Sequence, residues 1–395
     1  MALAKEKIYE PLNEDSAVVL VKDLGLFEKE ILLECEEIGD GNLNLVFRIA
    51  DRLNNKSVII KQALPYAKVV GESWPLTLQR AQIEADALKI YHQHTPNLVP
   101  KVHYTNNDLA VTIMEDLSHL KITRSGLIEG ESYPLLSGHI GEFLAKSLFY
   151  TSDYYLTPPA KKALAKKFYN PELCKITEDL VFTDPFFNSE TNEFEEELTD
   201  DVQKLWNDLV LKLEAAKLKK SFLTEGEALI HGDLHTGSIF SSNEETKVID
   251  PEFAFFGPIG FDIGQFFANL LFQIISDTGK EKIILDHISN TWNSFQTIYS
   301  DLWLSESHEK YTRVEGYLDY VLKKCLQDAI GFAGCELIRR TIGLAHVQDL
   351  DGIPSFDKRL QAKRNSLSLG REMIVHRADF QEISGFIDYL RTFQF

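Results

Sequence analysis

Cysteine is scarce in this sequence: four in 395 residues, Cys35, Cys174, Cys325 and Cys335, with no Cys-x-x-Cys pair. Cys325 and Cys335 lie in a helical apolar pattern and read as small buried hydrophobes, and a reducing cytosol is the simplest compartment. Positive charge is also in deficit. Forty-one Lys and Arg against 60 Asp and Glu leave a formal charge of -19, which argues against nucleic acid or an anionic membrane as partner. A small anionic ligand is not excluded, because it needs only a few local cations and backbone N–H groups. Long apolar runs are missing too: no uninterrupted stretch reaches membrane-spanning length. Met1 to Glu10 carries charges where a signal peptide needs an apolar core. A cytoplasmic protein is expected. No internal repeat or low-complexity linker is present.

What is there can build a large core, with 44% hydrophobic and 11% aromatic residues. The length allows two or three domains. Glu34 to Ile38 leads into a glycine-containing turn, Gly39 to Asn44, before two antiparallel strands, Leu45 to Ile49 and Ser57 to Lys61, with a turn at Asn54-Asn55; Leu109 to Met114 is another strand. From Thr77 the period changes: Leu78, Ala81, Ala85 and Leu88 recur at helical spacing. Beyond Leu117 the pattern is helical, over Leu136 to Tyr150, Glu195 to Lys217 and Tyr317 to Leu344, and Thr183 to Asn192 reads as a surface loop. Strand signals return only at Ala228-Leu229-Ile230 and Lys247-Val248-Ile249. The order implies an α+β, two-lobed architecture: a β-rich lobe with one main helix over 1–117, then a larger, mostly helical lobe over 118–395.

The chemistry concentrates in His231-Gly232-Asp233-Leu234-His235-Thr236-Gly237-Ser238 and Asp250-Pro251-Glu252. Each follows an apolar strand, so a rigid element aims its acids into a cleft. Carboxylates grouped in this way repel and call for cations, magnesium or the side chains of Arg and Lys. Magnesium with oxygen ligands is the usual companion of a nucleoside triphosphate. Histidines flanking an aspartate also suggest a two-metal phosphoesterase, but the upstream Asp-x-His and Asn-His elements of that class are absent. His231 and Asp262 read as structural residues shaping the loop.

The His231 to Ser238 string resembles the catalytic loop of aminoglycoside phosphotransferases, choline kinases and their relatives. Asp250-Pro251-Glu252 stands where protein kinases carry Asp-Phe-Gly. With Gly257-Pro258-Ile259-Gly260-Phe261-Asp262 added, the chain is similar over nearly its whole length to the 5-methylthioribose kinases. The resemblance implies a protein-kinase-like fold and transfer of the ATP γ-phosphoryl group to the anomeric hydroxyl of 5-methylthioribose. It also implies a step in methionine salvage, carried out by a homodimer. Asp233 becomes the base that contacts the sugar, and Asp250 and Glu252 the magnesium ligands. The wider family carries a metal-binding asparagine at the position of Ser238; this departure shifts that duty to Glu252 and is shared by methylthioribose kinases.

By the same resemblance, Gly39-Asp40-Gly41-Asn42-Leu43-Asn44 is the phosphate loop, with Gly41, Asn42 and Asn44 touching ATP. Lys61 pairs the phosphates and Glu84 pairs Lys61, while Glu115, Asp116 and Leu117 form the adenine-binding hinge. Trp74 lies on a flap over the sugar, and Arg339 and Arg340 contact the sugar and the moving phosphoryl group. From the residues alone, Gly39 to Asn44 is also an ordinary hairpin turn, Lys61 a strand-end lysine, Glu84 a solvated charge, Trp74 a packed side chain and Arg339-Arg340 a solvated face. On helical geometry only one of two adjacent arginines is expected to point squarely at a cleft. Rival functions are phosphorylation of another alcohol (homoserine, choline or an aminoglycoside) by the same fold, and a nucleotide-binding pseudokinase.

Overall fold

The computed structural model describes residues 9–39, 43–67 and 71–395, without the side chains of 67 and 71–74. Two compact units emerge, Met1–Leu120 with Ile249–Phe253, and Lys121–Val248 with Ala254–Phe395. The architecture is α+β, as the sequence implied.

In the first unit, β1 (Glu34–Glu37), β2 (Asn44–Asp51), β3 (Lys56–Ala63), β6 (Val102–Asn106) and β7 (Val111–Glu115) form one antiparallel sheet in the order β1-β2-β3-β7-β6. A short ladder joins β4 (Tyr66–Ala67) to β5 (Gly71–Pro75). Period-two alternation divides the sheet's faces. Phe47, Ile49, Val58, Ile60, Val111 and Ile113 point to one side and bury against Ala17, Leu20 and Val21 of helix α1 (Glu14–Asp23). Lys61, one residue beyond Ile60, therefore points to the other side, where α2 (Gln79–His94) packs. Helix α1 departs from the expected single main helix. Its start is fixed by a reciprocal cap between Asn13 and Ser16, which satisfies backbone N–H groups that the helix itself cannot.

The second unit is mainly helical: α3 (Thr123–Glu129), α4 (Leu136–Tyr150), α5 (Pro158–Lys167), α6 (Pro171–Leu180), α7 (Thr199–Asn207), α8 (Leu209–Thr224), α9 (Gly260–Ser276), α10 (Glu281–Glu306), α11 (Tyr317–Ile342), α12 (Gln348–Asp351), α13 (Phe356–His376) and α14 (Ile383–Thr392). The segment expected as one helix over Glu195 to Lys217 is broken at Asp208, whose side chain accepts the Leu211 N–H and caps α8. Its short strands are β8 (Lys121–Ile122), β9 (Ala228–Ile230), β10 (Ile239–Ser241), β11 (Thr246–Val248) and β12 (Phe255–Gly257), paired as β11-β10-β8 and β12-β9.

Helices α9 and α11 approach closely because α9 is bare at Gly264, where a Cβ would lie 2.5 Å from the Ala329 carbonyl oxygen. Cys325 and Cys335 are buried in α11, as expected of packing residues. Among the described residues, no helix is long and apolar enough to cross a membrane.

Candidate active site

The first unit gathers a charged cluster on the α2 side of the sheet. Arg80 and Glu84 stand one turn apart on α2 and so share a face. Glu84 accepts from Lys61 Nζ at 2.9 Å, and the same ammonium also donates to Asp250 Oδ1. Arg80, wholly buried, reaches Glu252 Oε2 with Nε at 3.2 Å, and Asn44 Nδ2 donates to that oxygen at 3.3 Å. Asp250 adopts φ 69°, a left-handed conformation that few non-glycine residues take.

Three carboxylates thus share two cations. Burial and the neighbouring Asp250 and Glu252 charges raise the pKa of Glu84 against the pull of Lys61. Burial and Asp250 likewise raise that of Glu252. Burial alone would lower the Lys61 pKa, but Asp250, Glu84 and Glu252 together raise it, so the ammonium stays charged. The surplus of negative charge and the all-oxygen donors fit magnesium, which is held by one or two carboxylates with phosphates and water completing its shell. Among the described residues no group of three or more His, Cys, Asp or Glu forms a metal cage.

The remaining first-unit residues are placed as follows. Glu115 ends β7, its Oε2 accepting the Lys101 N–H at 3.0 Å. Asp116 pairs with Arg48 at 2.7 Å and caps Ser118, and Leu117 is buried. Gly41, Asn42 and the Trp74 side chain lie outside the described residues.

In the second unit β9 delivers His231 to Ser238 into a tight loop. Gly232 takes φ 82°, which suits glycine alone without strain. Asp262, buried in the first turn of α9, accepts the His231 N–H at 2.6 Å and the Gly232 N–H at 2.9 Å. His231 is buried and its Nδ1 accepts the Asp233 N–H at 3.3 Å, so both residues brace the loop as expected. The Ser238 hydroxyl is occupied within the loop: it accepts from His235 N and lies within hydrogen-bond reach of the Asp233 and His235 carbonyls.

Asp233 is ringed by donors. His235 Nδ1 accepts the Gly237 N–H at 3.0 Å, which leaves Nε2 as the protonated nitrogen, 3.4 Å from Asp233 Oδ2. Arg339 Nη2 and Arg340 Nη2 each lie 3.7 Å from Asp233 Oδ1. This corrects the expectation that only one of the two arginines faces the site. Burial alone would raise the Asp233 carboxyl; His235, Arg340 and Arg339 more than reverse it and hold the acid ionised. Burial, with Arg124 and Arg340, lowers the His235 pKa despite Asp233, so the imidazole is neutral near pH 7.

Several residues of these clusters carry no signal that the sequence reading used. Arg80 sits on a helix where a charge normally faces water. Arg124 of α3, bonded to Asn269 Oδ1 at 2.5 Å and 3.3 Å from Asp349 Oδ2, belongs to no motif. An Arg or Glu inside an apolar helical stretch, as at Glu336, is the one clue that could have pointed to them.

Residues 34–281 match the phosphotransferase enzyme family. Among curated relatives, the methylthioribose kinase of Geobacillus sp. (strain WCH70) is 63% identical over 378 residues, covering 95% of this chain and 94% of the relative. The methylthioribose kinase of Geobacillus thermodenitrificans (strain NG80-2) is 60% identical over 394 residues, covering 100% and 99%. A solved ethanolamine kinase from Plasmodium vivax aligns with 91% of this chain and 89% of its own at 16% identity and a TM-score of 0.47, too loose a likeness to say more. The chain belongs to the phosphotransferase enzyme family and, within it, to the methylthioribose kinases, small-molecule kinases that move phosphate onto an alcohol group.

Proposed function

We propose that this enzyme transfers the γ-phosphoryl group of ATP to the anomeric C1 hydroxyl of 5-methylthioribose, giving 5-methylthioribose 1-phosphate and ADP. The reaction is a step of methionine salvage, carried out by a cytoplasmic homodimer. The observation that carries the reading is the setting of Asp233, an acid kept anionic and faced by two guanidinium groups.

Asp233 accepts a hydrogen bond from the C1 hydroxyl and orients its oxygen for in-line attack on the γ-phosphorus. Its lowered pKa makes it a weak base, so the proton crosses late, as the new O–P bond forms and the bond to the ADP oxygen breaks. Such transfers have loose transition states in which positioning and charge neutralisation dominate. Base assistance contributes about 10²–10⁴ in rate. Arg339 and Arg340 meet the charge on the moving phosphoryl oxygens. Gly41, Asn42 and Asn44 touch the phosphates and Lys61 pairs with them, held in place by Glu84, while Glu115, Asp116 and Leu117 form the adenine edge and Trp74 covers the sugar. Asp250 and Glu252 would hold magnesium, which would supply neutralisation of the charge on the phosphate oxygens.

The test is coupled ADP release with ATP and magnesium, comparing methylthioribose with homoserine, choline, kanamycin and ribose as acceptors. Turnover with methylthioribose alone, abolished by chelation and by Asp233→Ala while ATP binding persists, is the expected result. Turnover only with another acceptor overturns the substrate. Wild-type activity in Asp233→Ala overturns the base.

A further inference from the structure

Adjacent residues on an α-helix leave the axis about 100° apart, so paired arginines ordinarily diverge. On α11 they converge instead, each placing Nη2 at 3.7 Å from the same oxygen of Asp233. The residue that gathers them is Glu336. It lies three positions before Arg339 and four before Arg340, the two spacings at which helical side chains meet. Its two oxygens divide the work. Oε2 accepts from Arg339 Nε at 2.5 Å, while Oε1 accepts from Arg340 Nε at 2.7 Å and from Arg339 Nη2 at 3.2 Å.

The Glu336 side chain has no solvent exposure. Burial would raise its pKa, but the two guanidinium groups bring it down to about 2, so it is an anion at any working pH. A buried carboxylate persists only with its cations; here Glu336 grips Arg340 by Nε and Arg339 by Nε and Nη2, and each arginine turns its Nη2 to Asp233. The third arginine nearby, Arg124, has separate anchors in Asn269 and Asp349.

We infer that Glu336 is a positioning residue for phosphoryl transfer, holding Arg339 and Arg340 as one rigid cationic fork at the Asp233 carboxylate. The inference rests on the proposed role of Asp233 and the arginines. It adds that the fork is made by a residue that touches neither sugar nor nucleotide.

Glu336→Gln keeps the size of the side chain but turns one acceptor oxygen into an N–H donor facing a guanidinium N–H, which releases one arm. The expected result is a fall in kcat of about 10- to 100-fold, the scale of a misplaced catalytic group, with the KM for ATP unchanged. A double-mutant cycle separates positioning from mere structure. In an Arg340→Ala background the glutamine change is expected to cost under about threefold more, because an arm it positions is already gone. Equal losses in both backgrounds overturn the inference, as does a Glu336→Gln enzyme with wild-type kcat. Full activity of Arg340→Ala alone overturns the proposed role of the arginines, and the Glu336 inference with it. If the glutamine variant does not fold, Glu336→Asp, which keeps the charge and withdraws it by one methylene, is run through the same cycle with the same readings.

Discussion

Arg80→Met removes the most heavily engaged cation of the first unit. The Arg80 guanidinium donates to five acceptors: Glu252 Oε2 at 3.2 Å, the Leu64 carbonyl at 2.7 Å, the Thr77 carbonyl at 2.9 Å, the Leu43 carbonyl at 2.6 Å and Asn44 Oδ1 at 3.1 Å. Methionine fills much of the space but donates nothing. Removing one partner of a buried ion pair costs about 3–5 kcal/mol, because the other charge is left stranded. Each buried carbonyl deprived of its donor costs about 1–3 kcal/mol more, less where water enters. A loss of at least about 4 kcal/mol follows, roughly a thousandfold in the unfolding equilibrium.

Urea unfolding reads the size of this loss. Amide exchange reads its place: protection should fall first around residues 43–47 and at the start of α2, where Arg80 ties loop to helix. Arg80→Lys restores the charge but not the planar fork, and should recover less than half of the loss. An Arg80→Met protein within about 1 kcal/mol of wild type, with unaltered exchange in those segments, would refute the account.

Two further outcomes are expected. In Asp262→Asn one of the two loop N–H groups, His231 or Gly232, meets an amide nitrogen instead of an oxygen; the loss of about 1.5–3 kcal/mol should lower the melting temperature by about 3–5 °C and kcat about 10- to 100-fold. Melting and kinetics both unchanged would remove Asp262 as the brace. His346 faces acceptors with both ring nitrogens, Asp351 Oδ2 at 2.9 Å and the Glu193 carbonyl at 2.7 Å, and the Asp351 bond raises its pKa against the effect of burial. Its contribution to stability is therefore complete below its ordinary value of 6.5 and lost as pH rises through the raised one. Wild type should lose more thermal stability than His346→Gln between about pH 6 and about pH 9, and parallel losses would show that His346 does not carry the dependence.

The physical signals legible in the sequence were local ones. Alternating apolar residues marked β2, β3 and β7, because one face of that sheet is buried against α1. The 3.6-residue period marked α2 and α4, and a long apolar run marked α11. Helix α1 has a weak local signature: only Ala17, Leu20 and Val21 of its ten residues are buried, so its apolar stripe is narrow and its Asn13 cap is the clearer mark. The break at Asp208 was missed for a related reason, since a capping aspartate in a charged helix looks like one more surface charge.

At the site, the sequence by itself determined which acids follow which strands, that Lys61 ends an apolar run, and that Gly232 stands before Asp233 where the chain must turn. Those facts depend on the order of residues along a few ångströms of backbone. Tertiary structure decided the rest. It brought Glu84 to Lys61 across a separation of 23 residues and Arg80 to Glu252 across 172. It also closed the loop on Asp262, 31 residues past His231. Whether a charged side chain is a solvated ornament or a buried partner depends on what packs over it, and nothing local to Arg80 or Arg124 records that. The two arginines show the limit most directly. Helical geometry sends them apart, and only the burial of Glu336 between their Nε groups, with Asp233 folded against their outer ends, makes them one device.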